Sequence, residues 1–200
     1  EDPNIMETMK ANGYEGIWIG RNDFIPSWWA KTDYCDQFYD GTDLIEKSAV
    51  EGGAFHPGMR GDAKPEIAPV MQDAQLKYSF YLGKFPEHSL DHTFDWNCVN
   101  AALNYLDERS RQPHEKPFFV YCTLSFPHPP YGCEEPWYSL IDRSKIPPRR
   151  PDVETLEGKG AILKGIRAKQ GLQDWTEAQY AELRAVYLGM VARFDHQLGL

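Results

Sequence analysis

Cysteine is scarce in this 200-residue chain and badly spaced for metal or redox chemistry. Cys35, Cys98, Cys122 and Cys133 are the four present, and none stands in a CxxC pair or at a zinc-ligand spacing. A zinc-ribbon or thioredoxin-like motif is thereby excluded. Cys98 and Cys122 read as small buried apolar side chains, the usual fate of a free cysteine. Long apolar runs are missing as well: no stretch approaches the ~20 residues that a membrane helix needs, so no membrane is expected among the partners. Positive charge is in deficit. Against 30 Asp and Glu stand 21 Lys and Arg, a net charge of -9, which argues against a nucleic-acid partner and against a large anionic polymer as ligand. A local basic pocket remains compatible with a small anion. The hydrophobic share, 42%, is that of an ordinary folded domain, and the length suffices for one substantial core.

The most informative stretch that is present runs from Lys116 to Tyr131. Phe118 to Phe126 has the length and the aromatic and β-branched content of a strand covered on both faces. Pro127, Pro129 and Pro130 then stop further sheet pairing and stiffen a loop that carries His128. In open α/β sheets ligands bind at the carboxyl ends of strands, which is where this histidine stands. The alternative is a turn histidine without chemistry.

Around that stretch, helices and strands alternate. Asp2-Pro3 reads as an N-cap followed by proline, Ile5, Met6 and Met9 supply an apolar face, and Gly13 ends the helix. Tyr14 to Ile19 reads as a strand. Residues from Lys31 to Leu90 show no sustained periodicity and carry turn signals such as Gly52-Gly53 and Pro57-Gly58. An irregular region of that length predicts a functional, specificity-shaping surface. A helix is predicted from Thr93 to Arg109 on the face Phe94, Cys98, Ala101, Ala102, Tyr105 and Leu106. The connection Ile146 to Pro151 reads as extended, its arginines as solvating charge. Thr176 and Gln179 form a capping box for a last helix whose predicted core face is Tyr180, Leu183, Tyr187, Met190, Val191, Phe194 and Leu198. The chain supplies crossovers but too few strands to finish a sheet. The expectation is an α/β chain, a mixed sheet flanked by helices and truncated at both ends, forming the middle of a larger domain.

The order of the pieces carries a resemblance. A helix leads through Gly13-Tyr14 and a strand to Gly20-Arg21-Asn22-Asp23; a later strand ends in Pro127-His128-Pro129-Pro130-Tyr131; Arg184 to Tyr187 and Asp195-His-Gln-Leu-Gly199 close the series. This succession resembles the central part of the sulfatase family, in the alkaline-phosphatase-like superfamily of hydrolases. The resemblance implies one partial catalytic domain over 1–200 and the hydrolysis of a small sulfated substrate such as a sulfated sugar. Where that family has Gly-Lys-x-His, this chain has Arg21 and Asp23. Arg21 inherits the sulfate contact, for which its planar fork suits two oxygens. Asp23 inherits the place of a histidine and can accept a proton. A structural Arg–Asp contact beside a turn is the alternative for that pair. His128 matches the family's Pro-His-x-Pro histidine, a contact to the sulfate ester and an acid for the departing alkoxide, a role that suits a group titrating near neutrality.

The family's nucleophile is a formylglycine made in Cys/Ser-x-Pro/Ala-x-Arg, and none of the four cysteines is followed by that pattern. Its calcium ligands, an early Asp pair and a later Asp-Asn, are not identifiable either, so no metal ligand is assigned. Calcium or another divalent cation is expected in the parent protein and not in this fragment. The isolated chain is expected to be inactive. His56, His88, His92, His114 and His196 have no ligand-like spacing. Trp28, Trp29, Tyr34, Phe38 and Tyr39 follow the anion motif and suit either stacking on a sugar or an ordinary core. Two other readings stay open: a phosphonate or phosphodiester hydrolase of the same superfamily, and a non-catalytic carbohydrate- or protein-binding module. Exposed edges of an incomplete sheet also favour pairing with a second copy.

Overall fold

A computed structural model of the chain describes residues 3–22, 25–26, 28–39, 65–74, 76, 80–86, 94–111, 113–149, 158–171 and 174–200. The chain divides into two compact units, one made of Glu1–Asp62, His88–Ser125 and Leu200, the other of Ala63–Glu87 and Phe126–Gly199. The architecture is α/β with parallel strand pairing. Antiparallel pairing is represented by an isolated bridge between Glu66 and Lys84.

In the first unit, β1 (Glu15–Gly20) lies between β2 (Gln37–Tyr39) and β4 (Phe118–Thr123), and both pairings are parallel. Register runs from Glu15 opposite Phe118 to Gly20 opposite Thr123. Side chains alternate across the sheet, so the sequence Ile17-Trp18-Ile19 faces two cores at once. Trp18 points into a cluster with Met6, Ile25, Tyr34 and Cys35. Ile17 and Ile19 point into another with Phe94 and Cys98. The first face is covered by α1 (Ile5–Ala11), the second by α2 (Phe94–Arg111). Two features of α1 follow from local chemistry. Asn4, not Asp2, is its N-cap, because Asn4 and Glu7 complete a reciprocal capping box at 3.0 and 2.9 Å. Gly13, at φ +84°, takes the chain out of the helix as expected.

The strand sandwiched on both faces is therefore β1, where Gly16 to Gly20 are all buried, and not β4. Phe118 and Cys122 on β4 are exposed, and the strand stops at Thr123 rather than Phe126. The apolar run misleads because β4 pairs with β1 on one edge only among the described strands. Phe119 and Tyr121 merely flank the Trp18 cluster, and Val120 flanks the other. Cys98 is buried as expected; Cys122 is not. Trp29, half-buried, stacks at 5.9 Å on Tyr34 of the core, whereas Trp28 is 82% exposed.

The second unit contains β3 (Tyr81–Lys84) paired in parallel with β5 (Tyr131–Cys133). Sheet pairing thus resumes one residue after Pro130, in a different sheet, instead of ending at the proline cluster. The region 31–90 is not wholly irregular either, since it contains β2, β3 and two 3-10 turns at Lys31–Asp33 and Pro69–Met71; its turn signals at 52–53 and 57–58 lie outside the described residues. A short helix α3 (Trp137–Leu140) and the exposed α4 (Ala161–Gln170) precede α5 (Glu177–Leu198), which starts at the Thr176–Gln179 capping box. Arg149, before α4, does more than solvate: its Nε–H donates to Glu177 at 2.5 Å and its guanidinium lies 4.0 Å from the Tyr180 ring.

The face that α5 buries differs from the apolar stripe. Ala185, Val186, Gly189 and Met190 are buried together with Gln179, Glu182, Arg193 and Gln197. Tyr187 and Leu198 of the expected core face are exposed. Close backbone approach selects the buried side, because a Cβ on Gly189 would stand 2.5 Å from the Trp137 carbonyl oxygen. Charged partners select it too, as Glu182 and Arg193 each meet an opposite charge there. In the first unit, Trp18→Ala is expected to lower unfolding free energy by about 3–5 kcal/mol through the cavity it leaves, read as a fall in the urea midpoint.

Candidate functional site

At the carboxyl end of β1 the backbone is fixed before Arg21 leaves it. Gly20 has φ +93°, and a Cβ there would lie 2.5 Å from the Thr123 carbonyl oxygen and 2.7 Å from its hydroxyl, so only glycine fits. The Arg21 carbonyl accepts from Trp18 Nε1 at 3.2 Å and from the Thr123 hydroxyl at 3.1 Å. With its carbonyl turned inward, Arg21 is exposed. Asn22 braces the following turn, accepting from Ile25 N–H at 3.1 Å and donating to the Ile25 carbonyl at 2.9 Å. Asp23 lies outside the described residues. After the neighbouring strand β4, the Ser125 N–H donates at 2.6 Å to buried Asp95 at the start of α2, which ties that segment down.

His128 belongs to the second unit, in the loop between Phe126 and β5. It is exposed, and its Nδ1 lies 2.5 Å from the Pro129 carbonyl oxygen. A carbonyl oxygen only accepts, so Nδ1 carries the hydrogen and Nε2 is left for an outside partner. One buried side chain meets Phe126 before this loop and Glu134 just after β5. The Arg193 guanidinium lies 4.3 Å from the centre of the Phe126 ring, and Arg193 Nε–H donates to Glu134 at 2.6 Å. Glu134 and Arg193 are completely buried.

No family model matches the chain. It is 25% identical over 225 aligned residues to the multifunctional alkaline phosphatase superfamily protein PehA of Trinickia caryophylli, an alignment covering 98% of this chain. The likeness supports the alkaline phosphatase superfamily. The aligned region is 42% of the length of PehA, so the chain spans about two fifths of that relative. An α/β fold of parallel strands flanked by helices is compatible with part of an alkaline-phosphatase-like domain, and the likeness is consistent with a hydrolase of that superfamily.

Arg21 falls in the first unit and His128 in the second. Among the described residues no group of three or more His, Cys, Asp or Glu side chains is arranged to hold a metal ion. His114 is exposed, and His196 packs 5.1 Å from the Trp137 ring; His56, His88 and His92 lie outside the described residues.

The buried charges escaped the reading of the sequence. Glu182 accepts from the Tyr81 hydroxyl at 2.8 Å, the Tyr138 hydroxyl at 2.7 Å and Arg143 Nε at 2.9 Å. A signal was available: Glu182 and Arg193 are eleven residues apart, three helical turns, which places them on one face of α5 beside Gly189. Burial opposes the charge on Glu182, but the bonds from Arg143, Tyr138 and Tyr81 outweigh it and hold its carboxyl below the usual range. The same burial, with the Glu182 carboxylate adjacent, pushes the Tyr138 phenol up to about 12.

A depressed folded-state value means that Glu182 stabilises the fold fully above its unfolded value of 4.5, and that this stability is lost as pH falls through the lower folded value. Glu182→Gln is expected to cost about 2–3 kcal/mol at pH 7. It is also expected to flatten the acid limb of stability against pH, measured by urea unfolding from pH 7 to pH 3. An unchanged acid limb would assign acid sensitivity to other carboxylates.

Proposed function

We propose that the chain is part of a sulfuric ester hydrolase of the alkaline phosphatase superfamily, acting on a small sulfated substrate such as a sulfated sugar. A formylglycine nucleophile and a divalent cation, calcium first, belong to the proposal as contributions from polypeptide outside these 200 residues. The observation that carries the reading is His128: an exposed imidazole whose Nδ1–H is held by the Pro129 carbonyl. When the ester bond breaks, the departing alkoxide needs a proton. An imidazolium giving up its Nε2 proton is left as the Nδ1–H tautomer, the form that Pro129 already stabilises. Arg21 takes the anion contact, its backbone fixed by Thr123 and Trp18 and its guanidinium exposed. Asp23 is assigned the proton acceptor. Exposed Trp28 is the aromatic residue of its cluster best suited to stack on a sugar ring, since Tyr34 belongs to the core and Trp29 packs against it.

A second reading, a phosphonate or phosphodiester hydrolase, rests on the likeness to PehA reaching the superfamily and not the sulfatase family within it. The two readings part on substrate. In the longer enzyme, His128→Ala is expected to lower kcat for an aryl sulfate about 10²–10⁴-fold, while the isolated 200-residue chain shows no calcium-dependent turnover. A higher kcat/KM for a phosphonate monoester or phosphodiester than for the sulfate would replace the first reading with the second. Undiminished turnover in the His128→Ala enzyme would remove the histidine's role in either.

A further inference from the structure

We infer that Arg193 is a positioning residue for His128, holding the two ends of the segment made of its loop and β5 so that the imidazole keeps one tautomer. The inference rests on the reading of His128 as a proton donor. Seven residues, Pro127 to Cys133, separate Phe126 from Glu134, and both of those flanking side chains meet the same guanidinium. Its central carbon lies over the Phe126 ring, 4.3 Å from the centroid, and its Nε–H donates to Glu134 at 2.6 Å. Neither contact is a flexible surface contact. Arg193 is wholly buried, as is Glu134, and Phe126 is nearly so.

Stability alone does not account for this arrangement. A buried ion pair is often no more stabilising than apolar side chains of similar volume, because both charges must first be taken out of water. What an ion pair adds is direction. Arginine offers a planar face and a fixed fork of donors, so an aromatic ring and a carboxylate that both use it are held at set distances. A methionine in its place would pack against Phe126 in many rotamers and fix neither. The rigid span between the anchors then carries His128, whose Nδ1–H reaches Pro129 only if the loop keeps its shape.

The test uses the complete 200-residue chain and needs no turnover. Long-range 15N–1H spectra report which ring nitrogen of His128 carries the hydrogen, with His128→Ala identifying the signals. The wild-type protein is expected to show the neutral His128 ring as a single Nδ1–H tautomer. The double variant Arg193→Met with Glu134→Met removes both charges and keeps volume, so it is expected to fold by circular dichroism. Its two His128 nitrogen signals are expected to move toward each other as the tautomers mix. Arg193→Lys, which keeps the charge and lacks the planar face, should give an intermediate spectrum. If the double variant does not fold, Phe126→Leu is read by the same criterion, since it removes the ring and leaves the ion pair. A wild-type tautomer spectrum retained in a folded variant overturns the inference, and so does a wild-type ring that is not in the Nδ1–H form. Failure of the hydrolase reading would appear in the turnover assays and leave these spectra unchanged.

Discussion

Burial of β1 on both faces is the constraint from which the first unit is built. A parallel strand cannot leave a face to water without exposing apolar side chains of one parity, and here both parities are apolar. Trp18 takes the side covered by α1, and Ile17 and Ile19 take the side covered by α2. Once both helices are in place, the two strands beside β1 are set in register, and the carboxyl ends of β1 and β4 come level at Gly20 and Thr123. The position of Arg21 follows from that pairing, since Thr123 on the partner strand holds its carbonyl.

A different balance organises the second unit. There α5 turns inward a face that contains Glu182 and Arg193, and leaves Tyr187 and Leu198 to the surface. The desolvation cost of each charge is met by close partners: two tyrosines and Arg143 for Glu182, and Glu134 and the Phe126 ring for Arg193. Small residues make this geometry reachable, because Gly189 allows the α3 backbone to approach where a side chain would collide. Apolar matching alone would have turned the helix by about a third of a revolution. Directional polar contacts outweigh it.

Several elements were legible because their causes are local. The capping box of Thr176 and Gln179, the helical face through Phe94 and Cys98, and the end of α1 at Gly13 each depend on residues within a few positions. The strand before Gly20 was legible as a short apolar run that ends at a glycine. Other features were not. A both-faces-buried strand was read into Phe118 to Phe126, but the number of neighbours a strand has is a property of the sheet and not of its own composition. Asp2 lost the N-cap to Asn4 because only Asn4 is three residues from a glutamate able to complete the box.

The sequence by itself determined the class of the fold and the proline-bound loop of His128, because proline fixes its own φ, and it supplied at Gly20 the residue type that can adopt a positive φ before Arg21. It also carried the resemblance that pointed to the alkaline phosphatase superfamily. Only the tertiary structure decided that β1 rather than β4 is the sandwiched strand, and that α5 buries its charged face. Only it showed Arg193 joining Phe126 to Glu134. Those outcomes depend on partners 59 to 67 residues away in the chain for Arg193 and 101 for Glu182, and the free energy of a buried charge is fixed by such distant partners and not by its neighbours in sequence.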